Sequence, residues 1–392
     1  MNTIPVSFGA VGPPTWFGFS SLTLTPEEIL EISFRSALIN SLAGVMVVFA
    51  ALMFVIKPAP VLRNWKFILA SAGFTVIPHL LVSRVSYEFP SLAGGAIGLV
   101  ATVFLARTGW GLSGGPVEMH EPAGSSGLGE PEGKRQPGFK GGLLKATFPL
   151  WATLLVLVVT RIPQLGIKRL LTLTDPSWDL SLGTLGTFSI SPSGVLTLSG
   201  IFGTGTGWSH SLFYVPSIIP FFLVSTLTFL LYRGTLPRIR GVFRNTVDQM
   251  KKPTLALLGA LVFVNLMMMG GEDSAVGLIG GNLARLTGGT WKYFASLLGA
   301  VGSFFSGSAT ISNLTFAGIQ DAIAADLGLN RSTILALQSV GGAMGNMVCI
   351  NNIVAVASVL ALGNLEGFIL KRTVRVLLLY AAITALVAVF LP

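Results

Sequence analysis

Val301–Leu360 reads VGSFFSGSATISNLTFAGIQDAIAADLGLNRSTILALQSVGGAMGNMVCINNIVAVASVL. Two segments rich in Ser, Thr, Asn and Gly, 306–313 and 338–346, interrupt runs that are otherwise as apolar as a membrane helix. Lipid offers no hydrogen bonds, so non-helical backbone at membrane depth persists only where it is buried in protein or lines a cavity. A pair of broken segments is the sequence signature of a carrier's binding region. The pattern predicts a re-entrant hairpin over 291–326 and a broken helix over 332–362.

Outward from that stretch, the composition is that of a membrane protein. Hydrophobic residues make up 52% of the 392 and charged residues 10%, with a mean hydropathy of +0.75; soluble domains carry about 25% charged residues. Apolar runs near the length of about 20 residues that spans a bilayer fall at 36–56, 67–83, 89–106, 143–162, 211–232, 253–271 and 374–391. The expected fold is an all-α polytopic membrane protein with about eight spanning helices, a re-entrant hairpin and broken helices. Residues 1–106 form a first region, with a polar segment at 1–19 and three spans. Residues 107–142, rich in Gly, Pro, Glu and Lys without apolar periodicity, read as a flexible linker. Residues 143–252 hold two spans, a mixed segment 163–210 expected as interfacial or re-entrant pieces, and a basic loop. Residues 253–392 form the region of the hairpin and broken helix, with an amphipathic stretch at 272–290. Thr25-Pro26-Glu27-Glu28 reads as a capping box with Pro at the first helical position.

The net charge of +9 does not point to nucleic acid. The excess sits in short loops between apolar runs, as expected when basic loops stay in the cytoplasm. Arg233, Arg238, Arg240, Arg244, Lys251 and Lys252 face only Asp248. With 233–252 in the cytoplasm, the basic loops 57–66, 107–145 and 364–375 share that side only if 291–326 enters and leaves by one face. Both termini then lie outside.

Candidate solute ligands follow from donor chemistry. At the hairpin tip stand Ser306, Ser308, Thr310, Ser312 and Asn313; at the second break, Gln338 and Asn346, followed by Asn351 and Asn352. Hydroxyls, amides, freed backbone N–H groups and helix N-termini can all bind a small anion with little fixed charge. The competing reading is that Gly and Ser here simply let helices pack closely. Candidate proton-coupling groups are His79, inside an apolar span, Glu272 and Asp273 at the end of one, and Asp321 in the hairpin's return arm. For each, a neutral hydrogen-bonded or interfacial role is the alternative.

The segments SGSATISNLTFAGIQ, ALQSVGGAMGNMVCINNIVA and LEGFILKRTV, with NTIPVSFGAVGPP at the start, resemble the L-lactate permease family over most of the chain. The resemblance implies import of L-lactate, and of glycolate or related 2-hydroxy monocarboxylates, with protons across the plasma membrane. It also implies an inverted-repeat anion transporter, with Asn2 and Thr3 in the first repeat's equivalent of the hairpin tip and 253–392 as the second repeat. Two departures stand out. The family pattern carries further helices ahead of the Asn-Thr-x-Pro-Val segment, so a separate N-terminal polypeptide is an expected partner. A His near Asn351 is also expected in many relatives, and Asn here removes a titratable group.

Three functional classes are open to such a chain: a carrier, a channel-like anion pathway or non-transporting membrane subunit, and a membrane enzyme. Three histidines (His79, His120, His210), one cysteine (Cys349) and no nucleophile–base pair or metal cluster argue against the enzyme, and no cofactor is expected.

Overall fold

The apolar runs become helices because nothing in them competes for the backbone. The computed structural model describes residues 15–20, 22–115, 142–161, 163–204, 207–215, 218–269, 273, 275–359 and 365–391. Asn2, Thr3, Glu272 and most of the linker lie outside them. The chain divides into two units, 1–125 with 252–392, and 126–251.

The first unit begins with α1 (Pro26–Val55). The capping box forms: the Thr25 hydroxyl accepts from the Glu28 amide, and Glu28 returns a bond to the Thr25 amide at 2.8 Å. A short α2 (Pro58–Arg63) leads into α3 (Trp65–Ser83) and α4 (Pro90–Thr108). Gly94 and Gly98, one helical turn apart, let α4 lie directly on Thr75 and His79 of α3, the close approach that small residues permit in membranes.

The second unit departs from the sequence expectation. Helices α5 (Gly142–Ala146), α6 (Phe148–Arg161), α7 (Ile167–Leu171) and α8 (Ile218–Leu231) flank a four-stranded antiparallel meander that the sequence reading did not assign. Its strands are β1 (Trp178–Ser181), β2 (Thr187–Ile190), β3 (Val195–Ser199) and β4 (Trp208–Ser211). The fold is therefore helical with a small sheet, not all-α. Val195 and Thr197 are β-branched and good strand formers, and Gly186 and Gly194 adopt positive φ at the turns. The expected basic loop is corrected too: from Leu236 it is helical, as the first half of α9 (Leu236–Met268).

Returning to the first unit, α10 (Ala275–Thr287) precedes α11 (Trp291–Ser306), α12 (Ala309–Asp326), α13 (Arg331–Asn346), α14 (Ile350–Val359) and α15 (Glu366–Phe390). Helices α11 and α12 form an antiparallel hairpin, with Ser312 bonded to the Gly299 carbonyl and Gln320 to that of Ala295. Helix α13 is the hub. Its span, 331–354, has 83% of its apolar window buried, against 11% for Pro90–Thr108, so α13 faces protein where α4 presents most of its surface outward.

Among the described residues five spans are long and apolar enough to cross a membrane, fewer than the eight expected. The helices Phe148–Thr160 and Ile218–Leu231 are apolar but shorter. A further correction concerns 338–346. Helix α13 runs through it unbroken, and the interruption falls later, at 347–349. Gly341 and Gly345 serve contact instead: a Cβ on either would collide with the backbone carbonyl of Ser296 or Ala300 on α11.

Candidate functional site

The hairpin tip is a two-residue turn. Helix α11 ends on Gly307 at φ +71°, a left-handed cap whose amide bonds to the Ser303 carbonyl at 2.8 Å. Ser308 then caps α12, its hydroxyl accepting from the Ile311 amide at 3.3 Å. The Ser306 hydroxyl lies 2.7 Å from the Gly302 carbonyl and 3.2 Å from the Ser308 amide. Ser306, Ser308 and Thr310 are half-buried.

The break in the other helix meets this tip. After Asn346 the backbone tightens: Met347 and Val348 bond three residues back, to Met344 and Gly345. Helix α14 then starts afresh at Ile350. A Cβ on Gly307 would stand 3.1 Å from Cys349 Sγ. Asn352 Nδ2 donates to Asn346 Oδ1 at 2.8 Å and reaches the Gly307 carbonyl at 3.5 Å. The N-termini of α12 and α14 are thereby drawn to one locus. Each presents unsatisfied backbone N–H groups and about half a positive charge. Asn351 and Asn352 there are exposed, and Asn346 is half-buried. The turn at Thr15–Phe19 packs against the same end of α12, with Gly18 directly on Thr310 and Asn313.

Three of the expected ligands sit elsewhere. Ser312, Asn313 and Gln338 are each 0% exposed. Gln338 Nε2 lies 3.2 Å from Ser312 Oγ and 3.4 Å from Asn313 Oδ1. Gln320 Nε2 donates to Gln338 Oε1 at 3.0 Å, and Trp291 Nε1 donates to Gln320 Oε1 at 2.8 Å. This dehydrated chain joins α11, α12 and α13, and satisfies amides that would otherwise be costly to bury. Sequence reading did not single out Gln320 and Trp291 as its members; an amide and an indole inside an apolar run were the available signal.

The proton-coupling candidates are dispersed. Asp321 accepts two bonds from Arg331, at 2.5 and 3.0 Å, and Arg331 also pairs with Glu28 at 2.9 Å. Nearby, Arg35 bonds to Glu31 and Thr333. This cluster ties the start of α1 to the base of the hairpin, at the end of α13 remote from the tip. It was missed because its members lie far apart in sequence. Asp273 is exposed. His79, 6% exposed, lines a cavity of about 430 Å³ between α1, α3 and α4, with Ser41, Ser71 and Thr75 among its walls.

Comparison with known proteins places this geometry in context. The model of the L-lactate permease family matches residues 1–392. A Haemophilus influenzae protein named "Putative L-lactate permease" is 43% identical over 391 residues, covering 100% of this chain and 71% of the relative. An L-lactate permease of Bacillus subtilis is 26% identical over 414 residues, covering 98% and 69%. A glycolate permease of Escherichia coli is 21% identical over 409 residues, covering 98% and 68%. No solved structure matches. A match over the full length, together with apolar helices and a hairpin meeting a broken helix, gives the conclusion that this chain is a membrane transport protein and belongs to the L-lactate permease family.

Proposed function

We propose that the junction of the hairpin tip with the α13–α14 break binds the carboxylate of L-lactate, or of a related 2-hydroxy monocarboxylate such as glycolate, and that the chain carries it across the plasma membrane together with protons. The observation that carries this reading is the meeting of Gly307 with Cys349 and Asn352, which brings two helix N-termini to one half-open place. Its polar groups are hydroxyls, amides and backbone N–H groups. Neutral donors suit an anion that must also be released, because they stabilise it without the deep well of a fixed cation. Names of relatives cite lactate and glycolate, which share a carboxylate and a 2-hydroxyl. The inverted-repeat architecture is part of the same proposal and rests on the family resemblance.

For the proton, His79 is the favoured group. Asp321 is committed to Arg331 and Asp273 is exposed, whereas His79 is buried beside a cavity and carries an imidazole, which can both accept and donate a proton.

The test is transport in proteoliposomes. Counterflow of labelled lactate against unlabelled lactate separates a carrier from a channel, since only a carrier exchanges solute across the membrane. Absence of counterflow, with anion conductance present, would overturn the carrier reading. In His79→Gln, counterflow should persist while accumulation driven by a pH gradient is lost; accumulation equal to wild type removes His79 from the coupling role.

A further inference from the structure

We infer that the first half of α9 is a docking surface for anionic phospholipid headgroups. Between Arg233 and Val247 the sequence has four arginines and no acidic residue. Within α9, Leu236, Ile239, Phe243 and Val247 fall within about 80° of one another on the helix. Leu236, Phe243 and Val247 are 68%, 72% and 43% exposed, so this apolar stripe is largely uncovered. Arg240 and Arg244, one turn apart, run along one edge of the stripe and line a groove with Leu236, Pro237 and Gly241. Both arginines are exposed, and neither has an ion pair among the described residues; Lys251 is the one that pairs, with Asp248 at 2.7 Å.

An apolar stripe edged by unpaired cations is the pattern of a helix held at a membrane interface, its apolar side chains among acyl chains and its cations against phosphate. Covalent continuity supplies the second argument. Helix α9 continues to Met268 through an apolar second half, so the basic half is tethered beside the bilayer.

The surface is tested on the full chain in vesicles of phosphatidylcholine, with and without about 30 mol% phosphatidylglycerol. A polarity-sensitive fluorophore is placed at Val247→Cys in a Cys349→Ser background, and quenching by nitroxide-labelled lipid is compared with quenching by aqueous iodide. Lipid quenching should rise at least about twofold in the anionic vesicles. It should return to the neutral-vesicle level in the Arg240→Gln/Arg244→Gln variant. On the unmodified helix it should also fall when salt is raised to about 1 M, where the screening length drops to about 3 Å. Equal lipid quenching in neutral and anionic vesicles, iodide quenching in both, or no response to salt would each overturn the proposal.

Discussion

Gln338 and Asn351 are amides thirteen positions apart, and their surroundings give them different work. Gln338 is fully buried and is a link between Gln320, Ser312 and Asn313. Replacing it with Leu removes a hydrogen bond from each of those groups, at about 0.5–1.5 kcal/mol per bond lost. Gln338→Leu should therefore lower the thermal unfolding midpoint in detergent by several degrees, whatever its effect on uptake; an unchanged midpoint would mean the network contributes nothing to stability. Asn351 is exposed at the head of α14. Asn351→Ala should leave the midpoint unchanged and raise the KM for lactate about fivefold or more, the equivalent of one lost hydrogen bond. An unaltered KM would remove Asn351 from the binding locus.

At the scale of elements, the contact between α11 and α13 is one of backbone against backbone. Gly341 lies on the Ser296 carbonyl, Gly345 on that of Ala300, and Gly299 on that of Gln338. Even one methyl group must push the helices apart and strip contacts along their length. Gly341→Ala is expected to reduce the yield of monodisperse protein sharply, whereas Gly289→Ala, with nothing within 4 Å of its added Cβ, should not; similar size-exclusion profiles for the two would refute the packing account. The glycine-rich 338–346 looked like a break because Gly weakens a helix where no neighbour compensates. The neighbour is what the sequence did not show. Conversely, Met347-Val348-Cys349 contains neither Gly nor Pro. Nothing local announced the real interruption, which is braced by Asn352 reaching Asn346 and Gly307.

For the whole molecule, the remaining question is which way the chain crosses. Charge bias gives a cytoplasmic side to 233–252, and this expectation is open to direct test. Cys349 is buried and is the only native thiol, so a cysteine at Asn245 in a Cys349→Ser background reports one site. Impermeant maleimide added outside intact cells should leave it unlabelled until the membrane is permeabilised. Rapid labelling in intact cells would invert the orientation.

The sequence by itself determined what depends on composition and on near neighbours along the chain. It gave the membrane class, from the scarcity of charge; the start of α1, from Thr25 and Glu28 three residues apart; the hairpin over 291–326, from the polar segment 306–313; and the family, from long motifs around them. It missed the small sheet, because strands of four and five residues carry too few positions to display alternation against an apolar background. Only the tertiary structure decided which polar residues are sealed and which are open. Ser312 and Ser308 are alike on the page, yet one bonds across the hairpin at 0% exposure and the other stands at its half-open tip. The same holds for Asp321 and Arg331, whose pairing depends on a turn between α12 and α13, and for the meeting of 307 with 349–352. Burial and long-range hydrogen bonding are properties of elements brought together, and no local spacing encodes them.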